Sequence, residues 1–152
     1  MPVYNSPTAP GPQPPALVLR LRGPILAVEI SIPAALLRRL TQQGQPPPAP
    51  QSGLALIDTG ASLSAVDDEV VRTLGIAPVG QTQIHTAGGI VARPLYPMRF
   101  SFPGTALPPI TFRRVAGGAL QSQGVVALLG RDMLANFILV YNGPAGTFSL
   151  AV

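Results

Sequence analysis

The sequence predicts a mostly-β, single-domain fold with two short helices. Three observations carry this. At 152 residues the chain suits one domain, long enough to bury a core without cross-links. Apolar or alternating runs of strand length recur between Gly, Pro and Asn turn signals. Helix punctuation is sparse by comparison: a proline at one first turn, and elsewhere an acidic start with a glycine stop.

The elements follow in order. Residues 1–15 (MPVYNSPTAPGPQPP) are proline-rich and low in complexity, and are expected to be a disordered or extended tail ahead of a domain over 16–152. Ala16–Arg22 and Pro24–Ile32 read as two strands joined at Gly23. Pro33–Leu40 reads as a short helix with proline in its first turn. Residues 41–53 (TQQGQPPPAPQSG) are expected to form a flexible loop, because a proline triplet fixes φ and removes donors. Leu54–Ile57 is a buried strand ending in Asp58, and Asp67–Gly75 is a helix whose acidic first turn suits the dipole. Residues 79–102 alternate around Ala87-Gly88-Gly89, as a long hairpin with a glycine tip does. Strands over Ile110–Val115 and Val125–Leu129 follow, then a short helical segment, Arg131–Asn136. A hairpin of Phe137–Tyr141 and Thr147–Val152 around Asn142–Gly146 closes the chain.

Composition excludes several chemistries. There is no cysteine, which removes disulfides, thiolate nucleophiles and thiolate metal sites. All basic residues are arginine, so lysine Schiff bases and phosphate-loop lysines are absent. One histidine, His85, cannot make a histidine-rich metal centre; it is read as an exposed or satisfied strand residue, with pH sensing the lesser alternative. The net charge of +4 comes from scattered arginines without interleaved aromatics, so no nucleic-acid partner is expected. No run of about 18 apolar residues exists and no signal peptide is seen, so the expectation is a cytoplasmic protein with no membrane partner. Metal-free carboxylate chemistry survives, with no cofactor called for.

The chain has six acids. Asp67, Asp68 and Glu69 start a helix, and Glu29 lies on an alternating strand. Asp58 and Asp132 are left, both following apolar strands, where a carboxylate needs partners. At Asp58 a Thr-Gly-Ala turn brings backbone N–H groups beside the carboxylate. An Asx-turn at a strand end would satisfy the tripeptide equally well.

Leu56-Ile57-Asp58-Thr59-Gly60-Ala61-Ser62 resembles the active-site run of retropepsin-like (retroviral-type) aspartic peptidases. The second signature of that family is matched by Leu128-Leu129-Gly130-Arg131-Asp132-Met133-Leu134, and Asp58 and Gly130 are 72 residues apart (130 − 58). The glycine-tipped hairpin lies between the two, where the family places its flap. The resemblance implies a retropepsin-like acid-protease fold and a homodimeric aspartic endopeptidase acting on a peptide or protein substrate, with one Asp58 from each copy sharing a proton. Thr59 would bond across the dimer, and Gly60, Ala61 and Ser62 would support the loop. Thr86, Ala87, Gly88, Gly89 and Ile90 would form the closing flap. Leu128, Leu129 and Gly130 would pack behind the site, while Arg131 and Asp132 would hold the adjacent helix and the interface by ion pairs. The terminal strand Thr147–Val152 would be an interface candidate. Tyr96, Met98 and Phe100 read as core rather than substrate pocket.

The chain departs from the pattern twice. Ala61 stands where pepsin-like enzymes often carry a supporting serine, so the resemblance implies a less acidic optimum than theirs; an activity maximum near pH 2 would contradict this. Ser62 replaces an acid common in the viral enzymes, leaving Asp132 as the substitute partner for Arg131. The alternative reading is a non-catalytic dimerisation or peptide-binding module with the same fold. A composition rich in Ala, Pro, Gly and Arg with no Lys, of the kind GC-rich codon usage gives, adds an expectation of bacterial origin.

Overall fold

A computed structural model describes residues 1–152. Ten strands form two sheets. In the small sheet, β1 (Val3–Asn5) pairs with β10 (Thr147–Ala151), which pairs with β9 (Ile138–Asn142), all antiparallel. The large sheet has the order β2 (Ile25–Ser31), β3 (Gln51–Ile57), β8 (Ala127–Leu129), β4 (Ala65–Asp67), β7 (Ile110–Gly118), β6 (Gly89–Ser101) and β5 (Gly80–Thr86). Strand β2 also pairs with β6, so the sheet curls back on itself around the core. Helices are short: α1 (Pro15–Arg22), α2 (Ala34–Gln42), α3 (Asp68–Leu74) and α4 (Arg131–Leu134). None is long and apolar enough to cross a membrane.

The core follows from the alternation. On β2 Leu26, Val28 and Ile30 are buried, and they meet Ala55 and Ile57 of β3, Met98 and Phe100 of β6, and Leu129 of β8. Phe100 and Phe112 add an edge-on pair with centroids 5.7 Å apart. Met98 and Phe100 are therefore core, as expected, and half-buried Tyr96 packs against them. Pro97 sits where the β6–β7 register shifts, a place for a residue without an N–H to give.

Three expectations need correcting. Ala16–Arg22 belongs to a helix, not a strand. Pro15 occupies its first turn, Leu17 and Val18 donate to the Pro14 carbonyl, and only Leu19 is buried. A strand formed there would need a neighbour, and the helix satisfies its backbone alone. The tail is not disordered throughout, because Val3–Asn5 joins the small sheet and the Tyr4 ring stacks edge-on with Phe148 at 5.8 Å. The loop expected over 41–53 is shorter: α2 runs to Gln42, and Gln51–Gly53 already pair with Val28–Ile30.

Candidate active site

The Asp58 loop is held from behind by a second strand. Ile57 lies beside Leu129 in the parallel β3–β8 pair, and the Asp58 N–H donates to the Leu129 carbonyl at 3.0 Å. The chain then turns: Gly60 N–H donates to Asp58 Oδ1 at 2.9 Å, and Ala61 N–H to the Asp58 carbonyl at 3.2 Å. The carboxylate thus gains a donor from its own turn, leaving Asp58 half-buried rather than sealed in the core.

The run from Gly130 onward clamps this loop. Arg131 N–H donates to the Ala61 carbonyl at 2.9 Å, and Arg131 Nη1 donates to the Thr59 carbonyl at 2.7 Å. A Cβ on Gly130 would stand 2.7 Å from the Leu63 carbonyl carbon, so only glycine lets the two segments touch.

Asp132 plays a different part from the one expected. It makes no ion pair with Arg131; the one ion pair of the chain joins the exposed Arg72 and Glu69 side chains of α3. Instead Asp132 Oδ1 accepts from Ser64 N–H at 2.9 Å, Ser64 Oγ at 2.7 Å and Met133 N–H at 2.9 Å. Ser64 Oγ in turn accepts from Gly130 N–H at 3.0 Å. Each polar group of this knot is satisfied, which is what lets Ser64 be fully buried. Sequence reasoning missed Ser64, since its partners lie more than sixty positions away and no local motif marks them. Asp67 is also spent structurally: Oδ1 caps α3 through Glu69 N–H, and Oδ2 accepts from Leu120 N–H at 2.7 Å.

In front of the loop lies a cleft of about 520 Å³. One wall is Asp58, Gly60, Ala61 and Ser62 with Leu63, Ala65 and Leu128; the other is Thr82–His85 on the first arm of the β5–β6 hairpin. The cleft therefore brings together Asp58, Gly60, Ala61, Ser62 and Leu128 of the expected set. Leu129 and Gly130 are buried behind it, and Thr59, Arg131 and Asp132 lie outside its lining. The hairpin turns at Ala87-Gly88, with Thr86 Oγ1 donating to the Gly89 carbonyl at 2.9 Å. Thr86, Ala87, Gly88, Gly89 and Ile90 are all exposed at this tip, beyond the cleft wall. The arm residues Thr82–Ile84 are the part of the hairpin that the sequence reading did not single out.

The family model described as "gag-polyprotein putative aspartyl protease" matches residues 51–136, more than half of the chain, from β3 through the hairpin to the segment after Gly130. No curated protein matches the sequence. Among solved structures, the solution structure of the simian foamy virus (mac) protease aligns with a TM-score of 0.45 and 17% identity, covering 73% of this chain and 91% of that one. The chain belongs to the gag-polyprotein aspartyl protease family.

Proposed function

We propose that two copies of the chain form one aspartic endopeptidase, each giving Asp58 to a shared site. The observation that carries this reading is the cleft itself. It holds one carboxylate, oriented by Gly60 N–H, where the chemistry needs two. A two-fold axis beside Asp58 supplies the second from an identical loop. Two carboxylates in contact hold one proton between them, so one is a base and the other an acid. The base takes a proton from a bound water as it attacks the peptide carbonyl, while the acid protonates the developing oxyanion; the carboxyl that took the water proton then passes it to the leaving amine as the C–N bond breaks, and a diol hydroxyl returns its proton to the other carboxylate. Thr59 is exposed and its hydroxyl has no hydrogen bond within its own chain, which suits a bond to the second copy. The β5–β6 hairpin offers an extended substrate a wall to lie along, and its tip at Thr86–Ile90 closes over it to exclude water.

The small sheet supports the pairing of copies, at a strand other than the expected one. Thr147–Ala151 has both edges taken, by β1 and β9, so the outer edges of the sheet belong to β1 and β9. Val3, Ala151 and Ile138 lie in one row of the register and Val140 sits two residues on, on the same face. Val3, Ile138 and Val140 are 44%, 60% and 54% exposed, an apolar surface facing away from the core. Replacing both Ile138 and Val140 by Lys is expected to raise the dimer dissociation constant at least about tenfold, since each buried aliphatic side chain is worth roughly 1.5–3 kcal/mol. Sedimentation would measure it, and unchanged dimerisation would place the interface elsewhere.

The function itself is tested by digesting a peptide library between about pH 3 and 8 with wild type and Asp58→Asn side by side. Cleavage abolished by the substitution supports the reading. Equal cleavage by both proteins removes it.

A further inference from the structure

Of the eleven residues lining the cleft, only Asp58 and His85 ionise. They stand on opposite walls, Asp58 in its loop and His85 on β5. The rest of the lining is apolar or neutral, Ser62 and Gln83 included. No other group in the cleft can therefore distinguish a charged substrate side chain from a neutral one.

We propose that His85 is a specificity residue that selects an acidic side chain, Glu or Asp, in the bound peptide. The inference rests on the peptidase reading of the same cleft. Asp58 is occupied with water and the scissile carbonyl, and its negative charge discourages a substrate carboxylate on its own wall. On the far wall His85 is exposed and has no hydrogen bond to the protein, so its ring is free to meet a ligand. An imidazolium there attracts a carboxylate and repels Lys or Arg. The charged neighbours do not duplicate this. Across the β5–β6 pair His85 faces Ile90, which is uncharged, and the nearest basic residue of β6 in register, Arg93, pairs with Thr82 three positions away. Asp58 is the one charged group facing it across the cleft. Imidazole is the side-chain class whose charge can change between about pH 5 and 8, which is why the test compares the two ends of that range.

The test uses matched peptides carrying Glu, Gln or Lys at each position around the scissile bond. Its readout is the ratio of kcat/KM for Glu over Gln within each protein. Wild type is expected to prefer Glu about three- to tenfold at pH 5 and to show a ratio near one at pH 8, the scale of a partly solvated ion pair. His85→Gln is expected to bring the ratio to about one at both pH values, and His85→Lys to keep the preference at both. A Glu preference that persists in His85→Gln, or none in wild type at pH 5, overturns the proposal. The same ratio is read in binding, using fluorescently labelled peptides on Asp58→Asn, so that it does not depend on turnover. A Glu preference in binding without any cleavage by wild type overturns the peptidase reading and leaves the selection standing. Cleavage that treats Glu and Gln alike does the reverse, and absence of both binding and cleavage overturns both.

Discussion

The Asp58→Asn protein is expected to cleave peptides at least about 10³-fold more slowly than wild type, because it loses general base and general acid together. In a two-copy site one substitution changes both carboxylates, so no residual partner is left to take the proton. The amide is nearly the size of the carboxylate, and its Oδ1 still accepts from Gly60 N–H, where the wild-type bond is 2.9 Å. The loop should keep its shape. The dimer should be at least as tight as in wild type, since two carboxylates facing each other repel unless a proton is shared. Initial rates on a cleaved library peptide, read beside sedimentation of the same samples, separate loss of chemistry from loss of assembly. Wild-type rates from an intact Asp58→Asn dimer would show that the acid lies elsewhere.

Gly130→Ala is the second large effect, and its cause is contact alone. The backbone at Gly130 has φ −84°, a value any residue adopts, so no conformational strain is added. The new methyl would stand 2.7 and 2.8 Å from the carbonyl carbon and oxygen of Leu63 and 3.0 Å from the carbonyl oxygen of Ala61. These are backbone atoms, which cannot rotate aside as a side chain would. Overpacking of this kind costs about 1–3 kcal/mol, or a Tm lowered by roughly 3–10 °C in a chain of this size. The atoms pushed belong to the Asp58 loop, and a shift of about 1 Å there lowers the rate by roughly two orders of magnitude. Gly88→Ala is the stability control: its nearest neighbour would be Thr86 Oγ1 at 3.8 Å, so its melting temperature should stay close to wild type. Equal melting temperatures for Gly130→Ala and wild type would show that the two segments have room to part.

Much of the site was legible because its signals are local. Asp58-Thr59-Gly60 is a turn with its own hydrogen bond, and Asp67 caps the helix it precedes. Glycine at 130 could be read as a close approach, although what it approaches, Leu63, lies far back in the sequence. The ion pair expected between Arg131 and Asp132 illustrates the opposite case. Adjacent opposite charges invited it, yet fixed donors at Ser64 and Met133 hold the carboxylate, and a carbonyl at Thr59 holds the guanidinium. Local charge pattern lost to donors brought in by sheet pairing. Ala16–Arg22 failed for another reason. The apolar run Leu17-Val18-Leu19 followed by Leu21 between arginines suits a strand, but Ala, Leu and Arg are strong helix formers and the flanking prolines set a helix start. Strand β4 escaped notice since three residues, Ala65–Asp67, are too few to show a period.

The pairing of β1 with β10 also bears on how the molecule comes into being. Tyr4 lies opposite Leu150, and the Val152 N–H reaches the Pro2 carbonyl at 3.1 Å, so β1 finds its partner far along the sequence. Contacts of such long sequence separation close late and slow folding. The small sheet that carries Ile138 and Val140 is then among the last parts to settle as the chain folds. Under the proposed pairing of copies through that sheet, the shared site assembles only after the sheet has closed, so folding of the small sheet precedes activity.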